Sequence, residues 1–192
     1  MDILKKDLSL KMVFREADRI IVRSYYVKNL VCDLYNYDCK SVSKCTDGII
    51  PEQFHISEDK SNLKKQLGIK KEDICLLSVG ALYPVRKGFD LVLKALYLLR
   101  EEKGMNLDNV KYFLIGRDHP NVRKWLYNLA KRYELSENFK IIVNADDQLR
   151  NSFYKVADIF AMPSKNLEKK GNIEGFGNVF IEAGYFSLPS IG

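Results

Sequence analysis

The sequence predicts an α/β fold, a parallel sheet with helices on both faces. Three observations carry that expectation. From about residue 70, apolar runs of strand length alternate with amphipathic stretches of helical period. The runs are near-continuously apolar, as strands covered on both faces are. An apolar fraction of 46% beside 29% charged residues is ordinary globular composition, so a core is expected.

Read in order, ICLLSV (74–79) is the first buried strand and ends at Gly80. FDLVLKALYLLREEKG (89–104) is amphipathic, with Gly104 as its C-terminal cap. VKYFLIG (110–116) is the next strand, followed by a helix through VRKWLYNLAKRY (122–133). FKIIV (139–143) is a third strand, DQLRNSFYKV (147–156) a helix and ADIFAMPS (157–164) a fourth strand. A helix over Asn178–Phe186 and the start of a strand at Pro189–Ile191 close the series. Parallel sheets of this kind bind ligands at the carboxyl ends of their strands. The loops Gly80–Gly88, Gly116–Asn121, Asn144–Asp147 and Pro163–Gly177 are therefore the ones to read.

The first sixty residues behave differently. ADRIIVRS (17–24) reads as a strand, SYYVKNLVCDLYN (24–36) as a helix and CKSVSKC (39–45) as a short strand. TDGIIPEQF (46–54) is a turn and connector punctuated by Gly48 and Pro51. The resulting division is a domain tail over 1–47, a linker and leading helix over 48–69, and the main domain over 70–192.

The net charge of +6 is unevenly placed: residues 1–60 hold ten basic and ten acidic side chains, residues 61–192 twenty-one and fifteen. The excess suits an anionic ligand, although charge alone favours the plainer reading of solvated helix faces. No basic run is interleaved with aromatics, so nucleic acid is not expected as a partner. Cys32, Cys39, Cys45 and Cys75 match neither a CxxC pair nor a zinc ribbon and are expected to be reduced structural thiols. The opening MDILKKDLSLK lacks the apolar core of a signal peptide, and no run reaches membrane length, which points to a cytoplasmic protein.

Two loops carry chemistry. GALYPVRKGF (80–89) leaves a strand at Gly80 and delivers Arg86 and Lys87 to a helix entrance, where free backbone N–H groups would assist in holding a diphosphate. It is not a Walker loop, and an exposed basic turn is the competing reading. GNIEGFGNVFIEAG (171–184) sets Glu174 before the glycines of a second helix entrance and Glu182 within that helix. Ionised carboxylates repel phosphate but accept hydrogen bonds from vicinal diols. A helix-dipole role suffices for Glu174, whereas Glu182 is a lone charge in an apolar segment.

SVGALYPVRKGFDLVLKAL, VKYFLIG, ADIFAMPS and EGFGNVFIEAG, in that order, resemble the GT-B glycosyltransferases of family 4, retaining enzymes that use nucleotide-sugar donors. ADRIIVRSYYVKNL and TDGIIPEQF also resemble the end of that family's acceptor domain and its interdomain linker. The resemblance implies an incomplete Rossmann-like donor domain preceded by a remnant of the acceptor domain, truncated at both ends. It implies that Arg86 and Lys87 take the donor diphosphate beside Gly80, and that Glu174 and Glu182 form the E-x7-E motif. Glu174 would then contact the donor sugar, Glu182 the ribose hydroxyls, the backbone of Gly175, Phe176 and Gly177 the sugar and phosphate, and Asn144 the region of the base. Arg86, Lys87 and Glu174 would form the catalytic set; with no D-x-D motif, neither a metal nor any other cofactor is expected.

Several positions depart from the family pattern. Ala81 stands where many members have arginine, and Arg117 where many have a second glycine. His119 could face the cleft or simply be exposed, and Ser187 occupies a position expected to need a left-handed backbone. The acceptor, whether sugar, lipid-linked or polysaccharide, is not specified, and a complementing chain or peripheral membrane association through the missing domain stays open. The competing functional readings are a non-catalytic sugar-nucleotide-binding subunit and a GT-B-shaped epimerase or phosphorylase, since fold does not settle function.

Overall fold

The computed structural model describes Met12, Val13 and residues 16–82, 86–165 and 176–192, apart from the side chains of residues 34 and 35. The chain forms two compact units, Met1–Ile49 with Asn166–Asn178, and Ile50–Lys165 with Val179–Gly192.

In the first unit, β1 (Ile20–Val22) and β2 (Val42–Lys44) pair in parallel, with Ile20 opposite Val42. The connecting helix α1 (Tyr25–Tyr35) starts at Ser24, whose side chain accepts from Val27 N, and packs Val31 against Val22 and Val42. The expectation of four reduced thiols is wrong: Cys32 and Cys39 form a disulfide, their Cα atoms 5.6 Å apart. Asn36 turns the chain out of α1 at φ +50°, and Asp38 caps a short 3-10 turn at Cys39–Ser41, which presents Cys39 to the helix. That turn also replaces the first half of the strand expected at 39–45.

The second unit holds the sheet. Its elements are α2 (Lys60–Gln66), β3 (Ile74–Val79), α3 (Phe89–Lys103), β4 (Val110–Gly116), α4 (Pro120–Arg132), β5 (Phe139–Val143), α5 (Asp147–Val156), β6 (Ile159–Ala161), α6 (Asn178–Tyr185) and β7 (Ser190–Ile191). The strands are all parallel, in the order β5-β4-β3-β6-β7. Successive residues of β4 sort the helices by face. Tyr112 stacks on Phe139, which meets Tyr127 of α4, whereas Phe113 packs on Phe153 of α5. Neighbouring side chains of a strand point to opposite faces, so α4 and α5 cover opposite sides of the sheet. The expected α/β architecture is the observed one.

The core runs through the strands: Leu77, Tyr112, Leu114 and Phe160 are each at most 1% exposed. One polar link crosses it. Ser78 Oγ donates to Ala161 O, so the 2.9 Å contact with Tyr112 is a donation from the phenol, and the three central strands are joined. At the amino edge, Lys60 Nζ meets Asp158 Oδ1 at 2.7 Å while Asp158 Oδ2 accepts from Cys75 N at 2.8 Å, tying α2 to β3 and β6. Among the described residues, no helix is long and apolar enough to cross a membrane.

Candidate functional site

Strand order decides which loops matter. β3, β4 and β5 step outward in one direction, and α5 then returns the chain to the other flank of β3, where β6 and β7 continue the opposite way. The strand order therefore reverses between β3 and β6, and the crevice at their carboxyl ends is the topological switch point at which doubly wound sheets take ligands.

Glycines let the loops crowd there. A Cβ on Gly116, at the end of β4, would lie 1.9 Å from Gly80 O, so only hydrogen fits. A Cβ on Gly80 would lie 3.6 Å from Met162 Sδ and 3.8 Å from Lys87 Cε, so the Lys87 side chain runs back over the end of β3. Lys87 is 9% exposed, a buried lysine at a strand end, and Arg86 beside it is half-buried. Gly88 caps α3 with φ +70° and no side-chain hydrogen bond, and a Cβ there would stand 2.0 Å from Pro163 O.

The loop after β6 is pinned to this entrance. Lys165 N donates to Arg86 O at 2.7 Å, and Lys165 Nζ pairs with Asp90 Oδ2 at 2.7 Å. Asp90 Oδ1, in the first turn of α3, and Ser164 Oγ, in the loop after β6, are buried without a hydrogen-bond partner among the described residues. Buried polar atoms are ordinarily satisfied, so these two mark a place for a polar ligand or water. Lys165, Asp90 and Ser164 escaped the sequence reading because only the pairing of β6 with β3 brings them together.

Asn144 is exposed at the end of β5, with φ +52°. Its N–H donates to Gly116 O at 3.0 Å and its Oδ1 accepts from Asp118 N at 3.3 Å. Gly80, Gly116 and Asn144 thus form one backbone track along the carboxyl edge, with Lys87 folded over its β3 end. His119 is exposed and precedes Pro120 at the start of α4.

Glu182 is half-buried on α6, and its Oε2 accepts from Tyr154 OH at 2.9 Å. Burial, reinforced by that carboxylate, raises the Tyr154 phenol well above its ordinary value, so it stays a donor. Tyr154 carried a legible signal, since a tyrosine on the buried face of a helix needs a partner for its hydroxyl. Phe176 is half-buried and Gly177 is buried with φ +83°; both fall in the first unit. Glu174 and Gly175 lie outside the described residues. The structure therefore gathers Gly80, Arg86, Lys87 and Asn144 along one sheet edge and joins Glu182 to Tyr154.

Fold and loops together define a doubly wound α/β domain with a cation-bearing crevice at its switch point. The chain belongs to the family described as glycosyl transferases group 1, whose sequence profile matches residues 59–192. It is 28% identical over 183 residues to an uncharacterized glycosyltransferase of Methanocaldococcus jannaschii, covering 92% of this chain and 42% of that protein. It is 23% identical over 184 residues to a D-inositol 3-phosphate glycosyltransferase of Geodermatophilus obscurus, covering 94% and 39%. Among solved structures, Anabaena Alr3699/HepE, crystallised in complex with UDP and glucose, superposes with a TM-score of 0.78 at 19% identity, covering 95% of this chain and 46% of that one. The chain spans about two fifths of the length of these curated relatives.

Proposed function

We propose that this chain is the donor-binding half of a glycosyltransferase that moves a sugar from a nucleoside diphosphate sugar to an acceptor with retention of configuration. The observation that carries the reading is the seating of Lys87 over Gly80, with Arg86 beside it, at the crevice between β3 and β6. Arg86 grips the diphosphate through its planar fork, and Lys87 adds a point charge. A buried, prepositioned cation stabilises negative charge more than a solvated one does, so the pair lowers the barrier to departure of the diphosphate. No metal is required of the reaction on this reading, because the two side chains neutralise the leaving group.

Glu182 accepts from the ribose hydroxyls, and Glu174 contacts the sugar that is transferred. Gly175, Phe176 and Gly177 offer backbone groups to the sugar and phosphate, and Asn144 lies toward the base. The Anabaena neighbour, whose crystals hold UDP and glucose, supports a nucleoside diphosphate as the ligand chemistry. Retention is what the resemblance to family 4 implies.

The experiment is transfer from labelled UDP-glucose and its ADP and GDP counterparts to saccharide and lipid-linked acceptors, with the product anomer read by NMR. Transfer with retention supports the full reading. Binding without transfer by this chain leaves a sugar-nucleotide-binding subunit that depends on a partner chain.

A further inference from the structure

Tyr154 has no place in the function above, yet it is the side chain that holds Glu182. It is wholly buried on α5, and its ring stacks on Phe186 with centroids 5.5 Å apart and planes 3° from parallel. Phe160 of β6 lies against it at 5.9 Å. Its hydroxyl reaches Glu182 Oε2 at 2.9 Å. Phe186 follows directly on α6, and its ring and the Glu182 carboxylate both meet Tyr154 of α5. One tyrosine therefore holds both, with its ring on Phe186 and its proton on Glu182.

We propose that Tyr154 is the positioning residue for Glu182, fixing its carboxylate so that the remaining lone pairs face the vicinal hydroxyls of a nucleoside diphosphate's ribose. The proposal rests on the donor-site reading of Glu182. Glu182 Oε1 makes no hydrogen bond among the described residues, and each carboxylate oxygen can accept two. The phenol occupies one position on Oε2 and leaves room for a diol. A glutamate without this tether samples several rotamers, and ordering it would weigh against binding; the tether moves that ordering into folding. The stacked ring, itself in the core, transmits the position of the sheet to the carboxylate.

The test is calorimetric titration of the whole chain with three probes: UDP, 2′,3′-dideoxy-UDP and inorganic pyrophosphate. Tyr154→Phe keeps the ring and removes the proton. The expected result is UDP affinity lowered about five- to tenfold, the size of one ordinary hydrogen bond lost. Affinity for the dideoxy nucleotide and for pyrophosphate should stay within about twofold of wild type, since neither carries the diol. In a Glu182→Gln background the same substitution should have no further effect. Phe186→Leu, which loosens the ring while keeping the hydroxyl, should weaken UDP alone in the same sense.

Unchanged UDP affinity in Tyr154→Phe, with Glu182→Gln still weakening UDP, would overturn the positioning role and leave the donor site standing. Equal losses for all three probes would reduce Tyr154 to a packing residue. If Glu182→Gln itself leaves UDP binding unchanged, the ribose assignment fails, and this proposal fails with it.

Discussion

Gly88 and Pro163 touch across the crevice, so closely that a Cβ on the glycine would stand 2.0 Å from the proline's carbonyl oxygen. The contact joins the loops after β3 and β6, and with φ at +70° the position excludes a side chain twice over, by strain and by collision. Gly88→Ala should therefore destabilise the chain by about 2–4 kcal/mol and lower its melting temperature by roughly 5–15 °C. A thermal melt checks this; a shift of a degree or two would mean that the loops part freely.

Arg86→Ala and Lys87→Ala should each weaken nucleoside diphosphate binding by roughly 10- to 100-fold, as expected for one charge-assisted contact. Isothermal titration reads the affinity and differential scanning fluorimetry the stability. If the stability loss equals or exceeds the affinity loss in both variants, the cations are structural.

Ser187 holds φ +57° at the end of α6, with Ser187 N donating to Gly184 O and Leu188 N to Ala183 O. A non-glycine residue pays about 1 kcal/mol for this conformation, so Ser187→Gly should stabilise the chain by up to that amount. The melting temperature should rise by about 2–4 °C, and a fall would show that the serine side chain contributes more than its strain removes.

Asp158 supplies a pH dependence. Burial would raise its carboxyl pKa, but the hydrogen bonds from Lys60 and Cys75 N outweigh burial and hold it below the ordinary 3.8. A depressed folded pKa stabilises fully above the ordinary value and is lost as pH falls through it toward the folded one. Stability should therefore drop as pH falls below about 5 and on through 3.8 toward the depressed folded value, and Asp158→Asn should flatten that drop. Equal acid sensitivity in the two proteins would remove Asp158 from the account.

Most of the sheet was legible because its strands announce themselves by run length, and β3 and β4 also close on glycines. VKYFLIG and FKIIV are observed with the expected bounds, as is the helix DQLRNSFYKV. Ser187 was legible too, since the end of a helix demands a left-handed residue. The Cys32–Cys39 bridge was not, because seven-residue spacing matches no common motif and the reversal at Asn36 with the turn capped by Asp38 brings the sulfurs together. Nor were Tyr154 with Glu182, or Lys165 with Asp90: each pair spans elements that only the three-dimensional fold brings into contact. Sequence marks which residues are unusual, and topology decides which of them meet.

On the proposed reading, the crevice between β3 and β6 binds a nucleoside diphosphate through Arg86 and Lys87. The most direct test is titration of the chain and of the Arg86→Ala/Lys87→Ala double variant with UDP and with pyrophosphate. The chain should bind both, and the double variant, still folded, should lose both by at least roughly 100-fold. Equal affinity in the two proteins, or no binding by the unaltered chain, would contradict it.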